Sequence, residues 1–341
     1  MSESHINPAP RSAPNKSQRR REKHDINGWI VLDKPIGMTS THAVSIVKRL
    51  FAAKRAGHAG TLDPLASGCL PIALGEATKT VPYVMNGRKI YQFTVRWGEE
   101  RDTDDAEGRI VGTETRRPTE QEIRSLLPQF TGTIAQVPPR FSAVKIEGER
   151  AYDLARSGEV VELAERPVDI HWLDLVALPD ADHAMFAAEC GKGTYVRSLA
   201  RDMGRALGCC GHVSALRRTS VGPFAETDAI PVDRLQEAAT VPASPVPGSH
   251  AGRLTDGLAA LLQPVARALE VLPMLNVSQA DGARLARGQA VLLRGRDAPI
   301  MEGVVAIASE GNLIALAEVT GGELHPRRIF NLTGPTATVR I

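Results

Sequence analysis

Apolar residues in the first third of the chain recur with the two periods that distinguish strands from helices. The apolar run from Trp29 to Leu32 ends at a Pro–Gly turn and predicts a short strand. Residues 90–97 alternate between apolar and polar, which predicts a strand with one buried face. Between them, Thr39 to Thr41 offer N-caps for a helix whose apolar residues share one face. These residues are Val44, Val47, Leu50 and Phe51.

The same patterns continue further along the chain. Thr119 and Glu122 have the spacing of a capping box, which predicts a helix reaching to about Leu127. Residues 183–190 predict another strand. An amphipathic helix follows, with apolar positions from Val196 to Leu207, and it stops at Gly208.

The ends of the chain differ in composition from its middle. Residues 1–25 are rich in Ser, Pro, Asn and Arg and predict a disordered basic tail, solvated or adding weak affinity for phosphates. Residues 241–249 form a Pro-rich insert, and a helical stretch is expected over 254–269. The last part predicts one short helix after Ser278 and a small β-rich module with strands at 302–308, 312–319 and 327–331. We therefore expect a main domain at 26–236, a connecting segment at 237–270 and the module at 271–341.

Composition narrows the class of protein. Lys and Arg total 41 against 39 Asp and Glu, and aromatic residues make up 4% of 341, so a highly basic coat protein and a base-stacking channel are excluded. The four cysteines lack the spacing of a zinc site or a disulfide framework. No apolar run is long enough for a membrane span, and none follows the N-terminal arginines as in a secretion signal. We expect a cytoplasmic protein without a metal.

One carboxylate stands alone in a loop of small residues. Asp63 lies between Gly57 and Gly68, and Pro64 biases its backbone away from the helical region. An acid on such a loop is a candidate nucleophile or base, although a turn with an Asx hydrogen bond would have the same sequence. His58 and Ser67 flank the acid, yet Ser67 sits in no nucleophile elbow, so a hydrolase is not favoured.

A second segment carries a local excess of positive charge. From Lys192 to Arg218 there are six Lys or Arg and one acid, in a chain whose net charge is +2. Arg197, Arg201 and Arg205 recur every four residues, which predicts one arginine face on the helix. This face fits a phosphate backbone, and a solvated helix would look similar. The glycines before the helix lack P-loop spacing, and the acids at 102–105 lack the Gly and Glu of a calcium loop.

Several ordered motifs resemble those of the tRNA pseudouridine-55 synthases, the TruB family. The signature stretch runs from Gly57 to Lys79, and the resemblance spans residues 27–235. Residues 271–341 are more loosely similar to a PUA-like RNA-binding module. The other matching motifs are Lys34-Pro35 with Gly37 and Thr39-Ser40, Lys89-Ile90-Tyr91, Gln136-Val137-Pro138-Pro139 with Ser142-Ala143 and Lys145, Gly193-Thr194-Tyr195-Val196-Arg197, and His212 with Leu216-Arg217-Arg218. The tail, the Pro-rich insert and Arg101, where the family pattern has Thr, depart from the family.

The resemblance implies a fold and a set of roles. The fold would be α+β, with a mixed, mainly antiparallel sheet flanked by helices and a PUA-like C-terminal domain. Asp63 would be the catalytic nucleophile, Tyr91 would stack on the target base, and Arg197 would pair with Asp63. The pocket for the extruded uridine would be lined by His58, Tyr195 and Leu216. The predicted contacts to the RNA backbone are Arg201, Arg205, Arg217 and Arg218.

The chemistry of the implied reaction agrees with the residues. Converting uridine to pseudouridine exchanges an N–C for a C–C glycosidic bond without gain or loss of atoms, so no cofactor and no metal is expected. A fixed carboxylate is required, and Arg197 would hold its geometry. Attack at C1′, attack at C6 and deprotonation at C2′ all stay open. The expected partner is the T-arm stem-loop of tRNA, with the uridine flipped out of its stack, and we expect a monomer with no obligatory protein partner and no membrane. A non-catalytic RNA-binding protein and a guide-RNA-dependent enzyme are the alternatives.

Overall fold

The computed structural model describes residues 23–142, 145–146, 149–150, 163–241, 254–293 and 301–332. Apart from residues 23–25, the predicted tail lies outside these ranges, and so does the Pro-rich insert after Val241. The predicted division into domains at 26–236, 237–270 and 271–341 stays a prediction.

The larger part of the described chain is organised around a ten-stranded sheet. Two of its pairings, β1 with β14 and β3 with β12, are parallel, and the others are antiparallel. The order is β14-β1-β3-β12-β4-β11-β10-β7, with β13 beside β12 and β2 beside β3. Its strands are β1 (Gly28–Lys34), β2 (Ala56–His58), β3 (Ala66–Leu74), β4 (Lys89–Trp97), β7 (Gly132–Gln136), β10 (Arg166–Asp180), β11 (His183–Cys190), β12 (Gly211–Val221), β13 (Phe224–Ala225) and β14 (Ile230–Pro231). Two separate hairpins are β5 (Glu99–Arg101) with β6 (Ile110–Thr113), and β8 (Lys145–Ile146) with β9 (Glu149–Arg150).

Helices cover the sheet, and their starts follow the local sequence. The Thr39 side chain caps the first helix, and Thr119 and Glu122 form the predicted capping box of the third. The helices are α1 (Ser40–Leu50), α2 (Val81–Asn86), α3 (Glu120–Leu126), α4 (Val196–Ala206), α5 (Val232–Ala238), α6 (Asp256–Leu261) and α7 (Gln279–Ala286).

The sheet is buried on both faces near its parallel strands. On β1, Ile30 and Leu32 point into a core shared with α1, α3 and α4, whereas Trp29 and Val31 point into a second core. The second core also contains Phe330 and other apolar residues of the C-terminal module. Because alternate residues of a strand face opposite ways, this short strand joins both cores.

The C-terminal module is a five-stranded sheet with α7 packed on it. Its order is β15-β17-β18-β19-β16. The strands are β15 (Met274–Asn276), β16 (Val291–Leu292), β17 (Gly303–Ser309), β18 (Asn312–Thr320) and β19 (Glu323–Ile329). The module is β-rich as predicted, while its assignment as a PUA-like RNA-binding domain stays a prediction.

The α+β class with a mixed, mainly antiparallel sheet is confirmed, and one predicted element is wrong. The continuous helix expected over 254–269 is broken into α6 and a separate 3₁₀ helix, Val265–Leu269. Pro264 cannot continue a helix, and Gln263 instead exchanges two backbone hydrogen bonds with Trp29.

Candidate active site

The loop that carries Asp63 joins β2 to β3, and its backbone is held on both sides of the acid. Ser40, the first residue of α1, accepts a hydrogen bond from the Leu62 N–H at 2.8 Å and donates to the Leu62 carbonyl at 2.9 Å. The Pro64 carbonyl accepts from the Gly37 N–H at 2.8 Å. The main chain is therefore fixed on both sides of Asp63, and this fixes the position from which its side chain extends.

Lys34, at the end of β1, donates hydrogen bonds to main-chain carbonyls around the same turn. Its fully buried ammonium donates to the carbonyls of Met38 at 2.7 Å, Pro35 at 2.9 Å and, at 3.5 Å, Pro64. Burial lowers the pKa of Lys34 to about 8, and the nearby Asp63 carboxylate opposes this shift. The sequence motif marked this lysine, but we did not predict it as part of the site.

Asp63 forms an ion pair with Arg197. The Arg197 guanidinium lies 2.9 Å from the carboxylate and 3.4 Å from that of Asp105, and it also donates to the carbonyls of Thr103 and Phe141, each at 3.0 Å. The arginine side chain is buried, whereas that of Asp63 is 38% exposed. The cation is therefore fixed by the protein, and one face of the carboxylate remains open to a ligand.

The acidic turn between β5 and β6 supports this arginine. Asp104, in the left-handed region at a φ of 61°, places its carboxylate 2.9 Å from Arg201, and Asp105 next to it faces Arg197. Burial raises the pKa of Asp104 to about 6, against the opposing effect of Arg201. We predicted a plain acidic loop here. The signal that the sequence held was two consecutive acids and two arginines one helical turn apart.

Two tyrosines lie close enough to Asp63 for its charge to affect their pKa. Burial raises the pKa of Tyr91, which is also hydrogen-bonded to Arg218, and burial likewise raises the pKa of Tyr195. Tyr195 precedes α4, and its backbone exchanges two hydrogen bonds with the Gln136 side chain, at 2.8 and 3.2 Å. Both tyrosines thus lie on ordered elements of the fold, within the electrostatic range of the Asp63 carboxylate.

His58 and Leu216 were predicted, together with Tyr195, to line the nucleotide pocket. His58 ends β2, its Nδ1 atom is buried without a hydrogen-bond partner, and burial together with Arg218 lowers its pKa. Leu216 on β12 is nearly buried in the first core, beside Ala66 of β3. The roles predicted for these two residues in lining a nucleotide pocket stay predictions.

Of the three arginines on the predicted face of α4, one lies at the surface. Arg197 and Arg201 are 5% and 7% exposed, and Arg201 is paired with Asp104 and Asp202. Only Arg205 is exposed, and it is paired with Glu100 at 2.6 Å. The reason is that the acidic turn lies over the helix and neutralises its arginines, which a count of charges along one segment does not show.

The two consecutive arginines of β12 are also held by groups of the protein. Arg217 is partly exposed and pairs with Asp33 at 3.0 Å and Glu226 at 3.2 Å. Arg218 is 1% exposed, with its guanidinium on backbone carbonyls of the loop around Asp63. Neither the Arg201 nor the Arg218 charge reaches the surface, which disfavours a direct contact with an RNA phosphate, and the predicted contacts stay predictions.

Within the described residues, no three His, Cys, Asp or Glu side chains come together as a metal site requires. The four thiols are free. None of the described helices combines the length and the apolar character needed to cross a membrane.

Comparison with known proteins defines the class. The chain superposes on an archaeal box H/ACA sRNP Nop10-Cbf5 complex with a TM-score of 0.65 and 26% identity, covering 89% of this chain and 85% of the other. A structure of an H/ACA RNP bound to a substrate RNA containing 2′-deoxyuridine gives the same score and identity, with 89% and 84% covered. The fold is thus that of the pseudouridine synthases, the class to which the family matches also point.

Sequence relatives narrow the class to one family. Residues 48–196 match the N-terminal domain of TruB family pseudouridylate synthases, and residues 197–270 match the tRNA pseudouridylate synthase B C-terminal domain. The tRNA pseudouridine synthase B of Bradyrhizobium diazoefficiens is 65% identical, over 98% of this chain and 94% of its own. That of Agrobacterium fabrum is 54% identical, over 94% and 99%. The chain belongs to the TruB family and is an enzyme of the isomerase class.

Proposed function

We propose that this enzyme converts the uridine at position 55, in the T-arm loop of tRNA, to pseudouridine, with Asp63 as the nucleophile. The observation that carries the proposal is the pairing of a partly exposed carboxylate with a buried arginine, 2.9 Å apart. A protein that only binds RNA has no need of an ionised acid held in an open pocket, because that acid repels phosphates.

The geometry supports a sequence of steps in which this chain's residues act on one nucleotide. The target uridine leaves its stack, which costs a few kcal/mol, and its ring takes a place beside Tyr91. The Asp63 carboxylate bonds to C1′ or C6 of the nucleotide, and the N1–C1′ bond breaks with its electron pair left on the uracil. The uracil turns within the pocket and C5 bonds to C1′. The bond to Asp63 then breaks and returns the carboxylate, and the proton of C5 is lost while N1 regains one. Atoms and electrons balance without a redox partner.

Each surrounding group has a task in this scheme. Arg197 holds the carboxylate at a fixed angle and balances its charge, and the loop contacts from Ser40 and Gly37 prevent its retreat. Tyr91 and Tyr195 exclude water from the detached base. Tyr91 is also our candidate for the group that takes part in removing the proton from C5.

The experiment uses the purified protein and an unmodified tRNA transcript without any guide RNA. Chemical mapping of pseudouridine should give one new site, at position 55, and a transcript with cytidine there should give none. Pseudouridine at another position would refute the assignment of the site. A requirement for added RNA would favour the guide-dependent alternative.

Asp63→Asn tests the nucleophile. It should reduce the rate of tritium release from C5-labelled uridine at least about 1,000-fold, because the amide cannot attack. The fold and the dissociation constant for tRNA should be retained. Release at a rate near that of the wild type would remove Asp63 from this role.

A further inference from the structure

Arg218 occupies a position between the two parts of the site that must act together. It lies on β12, whose neighbours are β3 on one side and β4 on the other. Its Cα partner on β3 is Gly68, at the end of the catalytic loop, and its partner on β4 is Tyr91. The register therefore places a single side chain within reach of both the loop and the ring.

The guanidinium uses its donors on the backbone of the loop. Nε donates to the Cys69 carbonyl at 2.9 Å, and the two terminal nitrogens donate to the carbonyls of Thr61 at 3.2 Å and Gly60 at 3.0 Å. Gly60 and Thr61 precede Asp63, whereas Cys69 follows it. One rigid fork thus joins the two arms of the loop that presents the carboxylate.

The same side chain reaches Tyr91, to which it is hydrogen-bonded. Its positive charge counters the effect of burial on the pKa of that tyrosine and contributes to the low pKa of His58. The Arg218 charge therefore affects the pKa of groups on both sides of β12.

Burying this cation is costly. Arg218 is 1% exposed, and no carboxylate in the described part of the chain lies within 4.0 Å of it. An unpaired buried charge loses its hydration, and carbonyl dipoles offset only part of that loss. An apolar residue could donate to none of these carbonyls, and a lysine would offer a single point charge in place of the planar fork.

The main chain is adapted to this close approach. Gly68 has a φ of +99°, and a Cβ there would lie 2.3 Å from the Arg218 carbonyl oxygen. Only glycine lets this part of β3 lie so close to the β12 main chain at Arg218.

We propose that Arg218 is a positioning residue, which fixes the main chain on both sides of Asp63 and holds Tyr91 against it. The proposal rests on the proposed function for its kinetic consequence. Carboxylate and ring then meet the flipped base in one fixed relation, and no RNA contact by Arg218 is involved.

The test compares Arg218→Lys and Arg218→Ala with the wild type in single-turnover pseudouridine formation on tRNA. The rate constant for Arg218→Ala should fall at least about 100-fold, the size expected for misplacing a reacting group by about 1 Å. The dissociation constant for tRNA should stay within about twofold. Arg218→Lys should be intermediate, because it keeps the charge but replaces the planar fork with a single ammonium on a flexible stem.

Two further measurements separate positioning from loss of stability. Added guanidinium ion, well below denaturing concentrations, should partly restore Arg218→Ala and leave Arg124→Ala, a surface control, unchanged. Ile307→Ala in the C-terminal module, whose site lies elsewhere, should lose thermal stability and keep its rate. If the rate of the Arg218 variants falls only as their stability falls, without rescue, or if neither variant folds, the proposal is overturned.

Hydrogen exchange gives a readout that needs no turnover. Peptides covering residues 57–69 should exchange faster in Arg218→Lys than in the wild type, with little change elsewhere. Unchanged exchange in those peptides would contradict the proposal even in an active enzyme. An inactive wild type with the expected exchange would instead refute the proposed function alone.

Discussion

The large sheet and the C-terminal module bury different kinds of side chain. In the described part of the module, Ser309 is the single buried polar residue, and the core is built from residues such as Ile307, Leu316 and Leu324. The large-sheet region buries eight charged residues: Lys34, Glu76, Lys89, Asp104, Asp105, Arg197, Arg201 and Arg218. A buried charge lowers the free energy of unfolding unless it is well paired. The charges lie mostly around Asp63, so this region gives up stability for a fixed electrostatic arrangement.

The two regions meet at Glu76, in the 3₁₀ helix Gly75–Lys79 that follows β3. Its carboxylate pairs with Lys79 at 2.6 Å and Arg55 at 2.8 Å, and it accepts a hydrogen bond from the Asn331 N–H of the module at 2.9 Å. Lys79 also donates to the Ile329 carbonyl at 2.7 Å. The ion pairs around the buried Glu76 and the shared core of Trp29 and Phe330 thus join the two regions.

Among the buried charged residues of the large-sheet region, replacement of Arg197 should have the largest effect on the reaction rate. Arg197→Met should reduce the single-turnover rate about 100- to 1,000-fold, because Asp63 loses the cation that orients it. Arg197→Lys should recover part of the rate. A rate within about tenfold of the wild type for Arg197→Met would show that the pair is not needed.

Arg201→Ala should affect stability rather than RNA binding. Removing one partner of a buried ion pair leaves Asp104 unpaired and should lower the free energy of unfolding by about 3–5 kcal/mol, measured by urea denaturation. The slope of log Kd for tRNA against log salt should not change. A flatter slope would return Arg201 to the set of phosphate contacts.

In the C-terminal module, the corresponding substitution truncates an apolar side chain of the core. Ile307→Ala should lower the free energy of unfolding by about 2–5 kcal/mol through lost packing. The rate constant of the bound enzyme should stay the same as in the wild type. A large loss of rate in the folded variant would mean that the module's core also positions the site.

At the boundary, Glu76→Gln should give a loss that depends on pH. Burial favours the neutral acid, but the hydrogen bonds from Lys79 and Asn331 prevail and hold the pKa of Glu76 below its usual 4.5. A lowered folded-state pKa gives stability that is present above pH 4.5 and is lost as the pH falls through the folded pKa. Near neutral pH the variant should be about 1.5–3 kcal/mol less stable. The gap should close on acidification, and a gap independent of pH would contradict this.

Arg205→Ala should have the smallest effect on stability. Its exposed pair with Glu100 contributes less than about 1 kcal/mol to the free energy of unfolding. If RNA displaces Glu100, the salt slope for tRNA should flatten by about one phosphate contact, and Arg124→Ala is the control on another surface. An unchanged slope would assign this arginine to the protein alone.

The sequence by itself determined the local elements and the identity of the central residues. Alternation from Ile90 to Trp97, the cap at Thr39 and the capping box at Thr119 each specify a backbone state through neighbouring residues, and the structure has those elements. Asp63 and Arg197 were found by motif resemblance, and the fold brings them to 2.9 Å.

Only the tertiary structure decided which charges face water. Whether Arg201, Arg205 or Arg218 can reach a phosphate depends on the turn at 102–105 and the loop at 60–69, which are distant in sequence and contribute acids and carbonyls. A charge pattern along one helix or strand records periodicity, but burial and pairing are set by elements that pack from elsewhere. For the same reason, the sequence identified Lys34 as a motif residue but did not show that it is a buried cation next to the turn that carries Asp63.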